Sequence, residues 1–249
     1  MNVQSIKPVD EQALRVDLAA AFRLAVRFGW HESVGNHFSA ALSADGRRFL
    51  MNPKWQHFAD IRASDLQILD ADDPDVMNRP DAPDASAWCI HGNAHQRVPS
   101  ARVILHCHPV AATTLATLAD PRLIPIDQNT ARFFGRLAID PECGGIADQQ
   151  EEGERIAGLL ATKPTLLMAN HGVTTTADTV AEAFEDLYFF EKAAETLLRA
   201  YATGKPLAVM SDEIAARTAQ GWDAYRGASF AHFDHLKSML DREDPSYKD

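Results

Sequence analysis

The amino-acid sequence predicts an α/β fold, because segments with helical periodicity alternate with short extended apolar segments along the chain. The 249 residues are 46% hydrophobic and 24% charged, a composition that supports one large domain with a substantial core. No linker long enough to separate two domains interrupts the alternation. We therefore predict a single domain over residues 1–249.

The elements of the first half are predicted from apolar spacing and from residues that end helices. Apolar side chains recur with helical spacing between Asp10 and Phe28, and Gly29 ends that helix. The acidic stretch Asp70–Asp84 is predicted to be a solvated loop, because it lacks the glycine and the terminal glutamate of a calcium-binding EF-hand. The remaining elements are extended segments at Asn36–Leu42 and Arg48–Met51, a helix at Ser86–Gln96, a strand at Arg102–His106 and a helix at Val110–Leu118.

The second half of the sequence is predicted to end in helices. Thr179 and Glu182 have the T-x-x-E spacing of a capping box, which predicts the start of a long helix that ends before Gly204 and Pro206. We expect the tail over residues 206–249 to be helical and to pack between subunits. The elements before Thr179 are short extended segments at Leu123–Ile126 and Leu137–Ile139, a helix at Gln149–Leu160 and a strand at Thr165–Ala169.

The overall charge narrows the class of partner. The net charge is −11 at pH 7 and the isoelectric point is near 5.3, so we expect no general attraction to nucleic acid or to a membrane surface. No apolar stretch reaches the roughly 18 residues that span a bilayer, and Met1–Asp10 lacks the pattern of a signal peptide. The three cysteines form no C-x-x-C motif and predict neither a disulfide framework nor a cysteine metal site. A cytoplasmic location is therefore expected.

Three histidines carry the strongest functional signal in the sequence. His106 and His108 are separated by one residue at the end of a predicted strand, and His171 follows another apolar run further along the chain. Side chains two apart in a strand point to the same face, so one metal ion could bind both rings. A third imidazole from a neighbouring strand end would complete an open metal site. The alternative is that these are core or loop histidines whose ring nitrogens are satisfied by backbone carbonyls.

Four short motifs follow one another along the chain: Gly35-Asn36-His37-Phe38-Ser39, Ser86-Ala87-Trp88-Cys89-Ile90-His91, His106-Cys107-His108 and Asn170-His171-Gly172. In this order and spacing they resemble the class II aldolase and adducin head-domain family. The resemblance covers roughly residues 12–205 and implies a three-layer α/β/α fold with a central, mainly antiparallel or mixed sheet. In that family the sugar-phosphate aldolases hold zinc or a similar divalent ion with three histidines, which by position become His106, His108 and His171. The family is often homotetrameric, which implies a homotetramer here.

Two departures from that family affect the predicted chemistry. The position of the family's proton-transferring glutamate is Ala87, and alanine cannot transfer a proton. A carboxylate acid/base contributes roughly 10² to 10⁴-fold to the rate, so no catalytic residue is assigned. The turn that contributes to phosphate binding contains Lys54 and Trp55. The bulk of Trp55 is expected to exclude a phosphate, whereas Lys54 could pair with a carboxylate.

Six residues are predicted to line the substrate pocket. Gln128 and Arg132 belong to a segment that mixes polar side chains with the aromatic pair Phe133 and Phe134, as pocket walls do. The alternative places the two phenylalanines in the core and Arg132 in a surface or intersubunit ion pair. The six candidates are Asn36, Lys54, Trp55, His57, Gln128 and Arg132.

These observations predict a divalent-metal-dependent lyase that cleaves a carbon–carbon bond by a retro-aldol or decarboxylation reaction. Its substrate is expected to be a small hydroxy- or keto-acid or aldehyde rather than a sugar phosphate. One ion per subunit is expected, zinc first, with manganese, iron, cobalt or nickel as alternatives, because three imidazoles suit all of them. The competing hypothesis is a catalytically silent, adducin-like interaction module, which the absence of the glutamate at Ala87 favours.

Overall fold

The computed structural model describes residues 10–142 and 144–249. Residues 1–9, on which the expectation about a signal peptide falls, lie outside the described residues, as does Cys143. The strands are β1 (His37–Ala41), β2 (Arg48–Met51), β3 (Gln67–Asp70), β4 (Val103–Cys107), β5 (Leu137–Asp140), β6 (Thr165–Met168) and β7 (Val173–Ala177). The helices are α1 (Glu11–Phe28), α2 (Ala85–Ala87), α3 (Asn93–Arg97), α4 (Val110–Ala116), α5 (Gln128–Ala131), α6 (Gln150–Leu160), α7 (Val180–Ala202), α8 (Asp212–Ala224) and α9 (Gly227–Glu243).

The strands form one mixed sheet in the order β3-β2-β1-β4-β7-β6-β5. Every neighbouring pair is antiparallel except β5 and β6, which are parallel. The predicted mixed, mainly antiparallel sheet is therefore confirmed. The central strand β4 pairs with β1 on one side and with β7 on the other, so three segments that are distant in sequence meet in the middle of the sheet.

The alternation of side chains along β4 separates the two faces of the sheet. Leu105 and Cys107 belong to the larger apolar cluster, which also contains residues of α1, α4, α7 and α9. Ile104 belongs to a second cluster with residues of α3 and α6. His106 shares the face of Ile104, because side chains two apart in a strand point the same way. Helices thus cover both faces, and the predicted three-layer α/β/α arrangement is confirmed.

Two strands and one loop differ from the sequence prediction. β3 and β7 were not predicted, and the segment 123–126, predicted to be extended, is not a strand. Three consecutive threonines lie within β7, so counting apolar residues misses it, although β-branched side chains favour strands. Only Leu69 of β3 is buried, so its apolar signal is weak. Pro125 interrupts the segment 123–126 and has no N–H for a sheet ladder.

Helix α5 was not predicted; the other helices agree with the predicted ones in position and differ in detail. Thr179 caps α7 by accepting a hydrogen bond from the backbone N–H of Glu182, but the Glu182 carboxylate bonds the threonine hydroxyl rather than its backbone N–H. Between α2 and α3 the helix contains a π turn over Trp88–Gly92. The tail forms α8 and α9. Within the two described ranges, no helix combines the length and the apolar content needed to cross a membrane.

Candidate metal centre

Three histidines meet at one end of the sheet. His106 lies in β4, directly opposite Thr174 of β7. His108 follows the end of β4, and His171 lies in the turn between β6 and β7. The antiparallel pairing of β4 with β7 places the start of β7, and therefore this turn, beside the end of β4. The three rings are thus brought together by backbone pairing between segments that are far apart in sequence.

The rings of these histidines lie close enough to share one ion. The Nε2 atoms of His106 and His108 are 3.1 Å apart, and the three ring centroids are separated by 5.0, 4.8 and 4.7 Å. One ligand nitrogen from each ring lies within 4.8 Å of the other two. Tetrahedral zinc with bonds of about 2.0–2.1 Å separates its ligand nitrogens by about 3.3–3.4 Å. Small side-chain adjustments would therefore place all three rings on one divalent ion.

Side chains outside this triad hold the two histidines of the H-x-H motif. His106 Nδ1 lies 3.0 Å from the hydroxyl of Thr174, and His108 Nδ1 lies 2.7 Å from the carboxylate of Glu32. An ionised carboxylate only accepts hydrogen bonds, so in a neutral His108 the hydrogen is on Nδ1 and Nε2 is a bare lone pair. Metal-binding histidines are commonly fixed by such a partner. Neither bond goes to a backbone carbonyl, which the alternative interpretation of these histidines requires.

Burial keeps two of the three rings uncharged. His106 is 1% exposed, and burial, followed by the neighbouring His171 and His37, lowers its pKa well below the ordinary histidine value. The pKa of His171 is lowered to about 4, again by burial first and then by His108. Neutral imidazole is the form that binds a metal. Protons therefore do not compete for these two rings at neutral pH.

The turn that carries His171 packs directly against His108. Asn170 has a φ of +53°, in the left-handed region that asparagine adopts more readily than most residues. A Cβ atom added to Gly172 would lie 2.4 Å from Cδ2 of His108 and 2.7 Å from the carbonyl oxygen of Cys107. Only glycine permits this approach of the turn to His108.

Replacing Gly172 with alanine tests that contact. We expect Gly172→Ala to lower the free energy of unfolding by about 1–3 kcal/mol, the usual cost of overpacking, and to weaken zinc binding because His108 must move. Urea unfolding and a zinc titration measure the two effects. The matched control is Gly158→Ala in α6, where the added Cβ meets nothing within 4 Å. Because glycine destabilises a helix relative to alanine, we expect this variant to raise the free energy of unfolding by about 0.5–1 kcal/mol. Zinc binding by Gly172→Ala equal to that of the unmodified protein would contradict this interpretation.

Glu191 holds the start of the helix that follows His108. Pro109 precedes α4 and provides no side-chain cap. The Glu191 carboxylate, from α7, accepts hydrogen bonds from the backbone N–H groups of Ala111 and Ala112 at 2.9 and 2.8 Å. Its charge also complements the positive end of the helix dipole. This contact anchors the segment 109–112 to α7 and so limits the movement of His108.

Asn36 is linked to the triad through one shared neighbour. Its side chain is 2% exposed, and its Oδ1 accepts a hydrogen bond from the backbone N–H of Glu32, the residue that bonds His108. Its Nδ2 is buried and has no hydrogen-bond partner within the described residues. A buried donor without a partner is a group that a ligand or an ordered water could satisfy.

Three other predicted pocket residues, Lys54, Trp55 and His57, make their described contacts away from the triad. Trp55 is 69% exposed, with a φ of +61°, and the ammonium group of Lys54 lies 4.4 Å from the centre of its ring. The Nε2 atom of His57 lies 3.2 Å from Nε2 of His31, and its Nδ1 accepts from the backbone N–H of Ala59. Lys54 and Trp55 therefore interact with each other, and His57 interacts with His31.

Gln128 and Arg132 belong to a different side-chain cluster. Arg132 is 3% exposed, pairs with Asp186 at 3.0 Å and packs against the rings of Phe189 and Trp222. Gln128 lines a cavity of about 450 Å³ that also borders Trp222. Arg132 was predicted to line the substrate pocket, with a surface or intersubunit ion pair as the alternative; its ion pair with Asp186 is instead buried within the subunit. Neither residue contacts the histidine triad within the described part of the chain.

Ala87 contributes no polar group to the site. Its side chain is 3% exposed and belongs to an apolar cluster that includes Phe49 and Met51. Among the described residues, the carboxylate that hydrogen-bonds the triad is Glu32. Glu32 and Thr174 were not identified from the sequence, because they lie 76 and 68 positions from the histidines that they contact.

Comparison with known proteins agrees with this fold and with the motifs. An aldolase II superfamily protein from Pseudomonas syringae superposes with a TM-score of 0.86 at 28% identity, covering 98% of each chain. L-fuculose 1-phosphate aldolase from Glaciozyma antarctica superposes with a TM-score of 0.81 at 20% identity, covering 100% of this chain and 97% of that one, and this likeness concerns the fold alone.

Sequence comparison leads to the same family. Decarboxylase NovR from Streptomyces niveus is 24% identical, and the match covers 84% of this chain and 79% of that protein. Residues 16–198 match the family described as Class II Aldolase and Adducin N-terminal domain. The resemblance predicted from the four motifs is therefore confirmed, and the chain belongs to the class II aldolase and adducin family.

Proposed function

We propose that this protein is a divalent-metal-dependent lyase that breaks a carbon–carbon bond in a small hydroxy- or keto-acid or aldehyde. The observation that carries the proposal is the convergence of ring nitrogens from His106, His108 and His171, with Glu32 leaving Nε2 of His108 free to bind. Three imidazoles fit zinc and leave coordination positions open for substrate. Manganese, iron, cobalt and nickel are the alternatives.

The surrounding side chains would position this site. When bound, the ion would act as a Lewis acid toward the chelated oxygens of the substrate. Glu32 and Thr174 keep the rings of His108 and His106 in a fixed orientation through their Nδ1 atoms. Asn36 offers a buried amide donor that has no partner within the described residues, and an oxygen of the substrate could accept from it.

The alanine at position 87 favours decarboxylation over retro-aldol cleavage. A retro-aldol reaction needs a base to remove a hydroxyl proton, and Ala87 stands where the resemblance places the family's glutamate. Decarboxylation can start without a base, because carbon dioxide departs, the electron pair stays on the remaining fragment and a proton is added afterwards. The similarity to a protein named Decarboxylase NovR supports decarboxylation over the retro-aldol reaction. Among the proposed substrates an acid is therefore favoured over an aldehyde, and a sugar phosphate is not expected.

Removing the carboxylate that fixes His108 tests the metal site. We expect Glu32→Ala to weaken zinc binding by about 10- to 100-fold, the usual effect of losing a partner of a ligand histidine. Glu32→Gln should lose less, because its amide oxygen can still accept from Nδ1. Competition with a chromogenic chelator measures both affinities, and Glu195→Ala, which removes a surface carboxylate, is the control. Equal affinity of Glu32→Ala and the unmodified protein would rule out this role.

Metal content and turnover together test the proposed function. Protein purified without added metal should contain about one divalent ion per subunit. Metal-loaded protein should then be assayed with hydroxy-aromatic acids, small keto-acids, aldehydes and a sugar phosphate. Turnover of an acid or aldehyde supports the proposal, whereas preferred cleavage of the sugar phosphate overturns the substrate class. Failure to bind any ion after full supplementation overturns the metal-dependent lyase itself.

A catalytically silent, adducin-like interaction module is the second candidate. The apolar packing of Ala87 favours it, because no acid/base is present at that position. A metal-loaded protein with no turnover on the whole panel would support this candidate. For either function we propose a homotetramer, as the family resemblance implies, and light scattering on the purified protein measures the subunit number.

A further inference from the structure

A chain of buried polar side chains runs from the triad along the face of the sheet that carries His106. His37 lies opposite His106 in the sheet and stacks on it, with ring centroids 4.9 Å apart. Nδ1 of His37 lies 2.8 Å from Nε2 of His91. The hydroxyl of Ser39 lies 2.6 Å from Nδ1 of His91 and 2.8 Å from Nε2 of His95. Each of these side chains is 3% exposed or less.

This chain ends inside the protein. Nδ1 of His95 is buried without a hydrogen-bond partner among the described residues, and its ring stacks on Phe49 with centroids 4.2 Å apart. A proton has no exit at that end, so the chain cannot deliver protons to solvent. It can instead determine which nitrogen of each ring carries the hydrogen.

The unpaired nitrogen sets the direction of the hydrogen bonds. His37, His91 and His95 are each 3% exposed or less, and a neutral imidazole ring has one N–H and one lone pair. A buried N–H without a partner is rarer than a buried acceptor without one, so the hydrogen of His95 belongs on Nε2. His95 then donates to Ser39, and the serine hydroxyl donates to Nδ1 of His91. Nε2 of His91 in turn donates to Nδ1 of His37.

We propose that His37 presents an Nε2–H donor, fixed by this chain, to an oxygen of the substrate held at His106, His108 and His171. Because Nδ1 of His37 accepts from His91, the hydrogen of a neutral His37 must lie on Nε2. Nε2 makes no hydrogen bond within the described residues and is not among their fully buried unpaired atoms. The inference rests on the proposed function and adds a substrate-binding residue to it.

The fixed hydrogen also excludes a competing role for His37. A bare Nε2 could become a fourth imidazole ligand only if His37 moved toward the ion, because the ligand atoms that lie within 4.8 Å of one another are those of His106, His108 and His171. An N–H at the same place cannot bind the ion, but it can donate to a carboxylate or carbonyl oxygen as charge develops there. The buried chain thus keeps His37 a donor while the triad binds metal.

Nitrogen-15 NMR of histidine-labelled, metal-free protein tests the position of the hydrogen directly. The ring signals of His37 are identified by their disappearance in His37→Gln. We expect these signals to show hydrogen on Nε2 alone near neutral pH. Hydrogen on Nδ1, or a mixture of the two forms, overturns the proposal. This measurement depends on neither metal binding nor turnover.

Calorimetric titration of zinc-loaded protein with glycolate tests the donor role. His37→Phe keeps an aromatic ring but has no N–H, and we expect it to weaken glycolate binding on the order of 10- to 100-fold, the effect of losing a hydrogen bond to a charged group. His37→Gln should recover most of the affinity, because its amide nitrogen can replace Nε2. Both variants should bind zinc as the unmodified protein does.

Each other outcome has a separate meaning. Glycolate binding by His37→Phe at the unmodified level overturns the donor role, and loss of zinc from that variant would identify His37 as a ligand. Failure of the unmodified protein to bind zinc or any of the alternative divalent ions overturns the proposed function, while the NMR result still decides the tautomer. Binding of zinc without binding of glycolate overturns the donor role toward hydroxy-acids.

Discussion

Lowering the pH from about 6.5 to about 5.5 is expected to lower the free energy of unfolding of the metal-free protein by about 5 kcal/mol. Burial is the largest cause that lowers the pKa of five histidines in the folded state. Each ring gains a proton on unfolding in this pH range, which costs the folded state about 1 kcal/mol per ring. The five are His37, His91, His95, His106 and His171.

The direction of this effect follows from the lowered pKa values. Below the ordinary histidine pKa of 6.5 the unfolded chain binds protons that the folded protein does not, so stability falls as the pH falls. The loss continues until the pH reaches the folded-state pKa, which is about 4 for His171. Because small domains are stable by only about 5–15 kcal/mol, the metal-free protein is expected to unfold in mild acid.

Urea unfolding at a series of pH values measures this dependence. His95→Gln, which can keep a donor toward Ser39, should reduce the number of protons taken up on unfolding by about one. His235→Gln, which removes an exposed ring outside this set of five, is the control. A free energy of unfolding that is constant across this pH range would show that the five rings are not held neutral in the folded protein.

Removing one ring of the triad is expected to have the second largest effect. His171→Ala should weaken zinc binding by about two orders of magnitude, because zinc sites with four ligands bind with about 10–16 kcal/mol, or about 3 kcal/mol per ligand. The fold should survive, since His171 lies in a turn and is only partly buried. Metal analysis after dialysis and competition with a chelator measure the loss.

A second histidine provides the matched control for this experiment. His57 is also partly buried, and its ring contacts His31 instead of the triad. His57→Ala should therefore bind zinc as the unmodified protein does. If His171→Ala retained stoichiometric zinc while His57→Ala lost it, the ligand set proposed here would be wrong.

Local patterns were enough to predict most elements and the approach of the three histidines' segments. The spacing of His106 and His108 depends only on the two-residue period of a strand, and β4 provides that strand. The three-layer architecture was predicted only through the four motifs, because the family that they resemble has a known arrangement of strands that are distant in sequence. β7 was missed since its threonines are polar, although their branched side chains suit a sheet.

The sequence could not predict the partners of the triad. Glu32 reaches His108 only because the segment before β1 folds back over the end of β4, and no local rule specifies that approach. Arg132 was predicted to line a pocket because its segment mixes polar and aromatic side chains, whereas the fold pairs it with Asp186, 54 positions away. Contacts between elements that are distant in sequence could therefore be identified only from the structure.

The position of β4 between β1 and β7 also has a consequence for folding kinetics. The contact between His106 and Thr174 closes a loop of 68 residues, and the contact between His108 and Glu32 closes one of 76. We expect such long loops to close late in folding, because the entropy cost of closure comes before the contacts that repay it. An unfolded chain cannot offer zinc three converging rings, so the metal should enter only after the middle of the sheet has formed. The rate of zinc uptake during refolding would then report when the central three strands have come together.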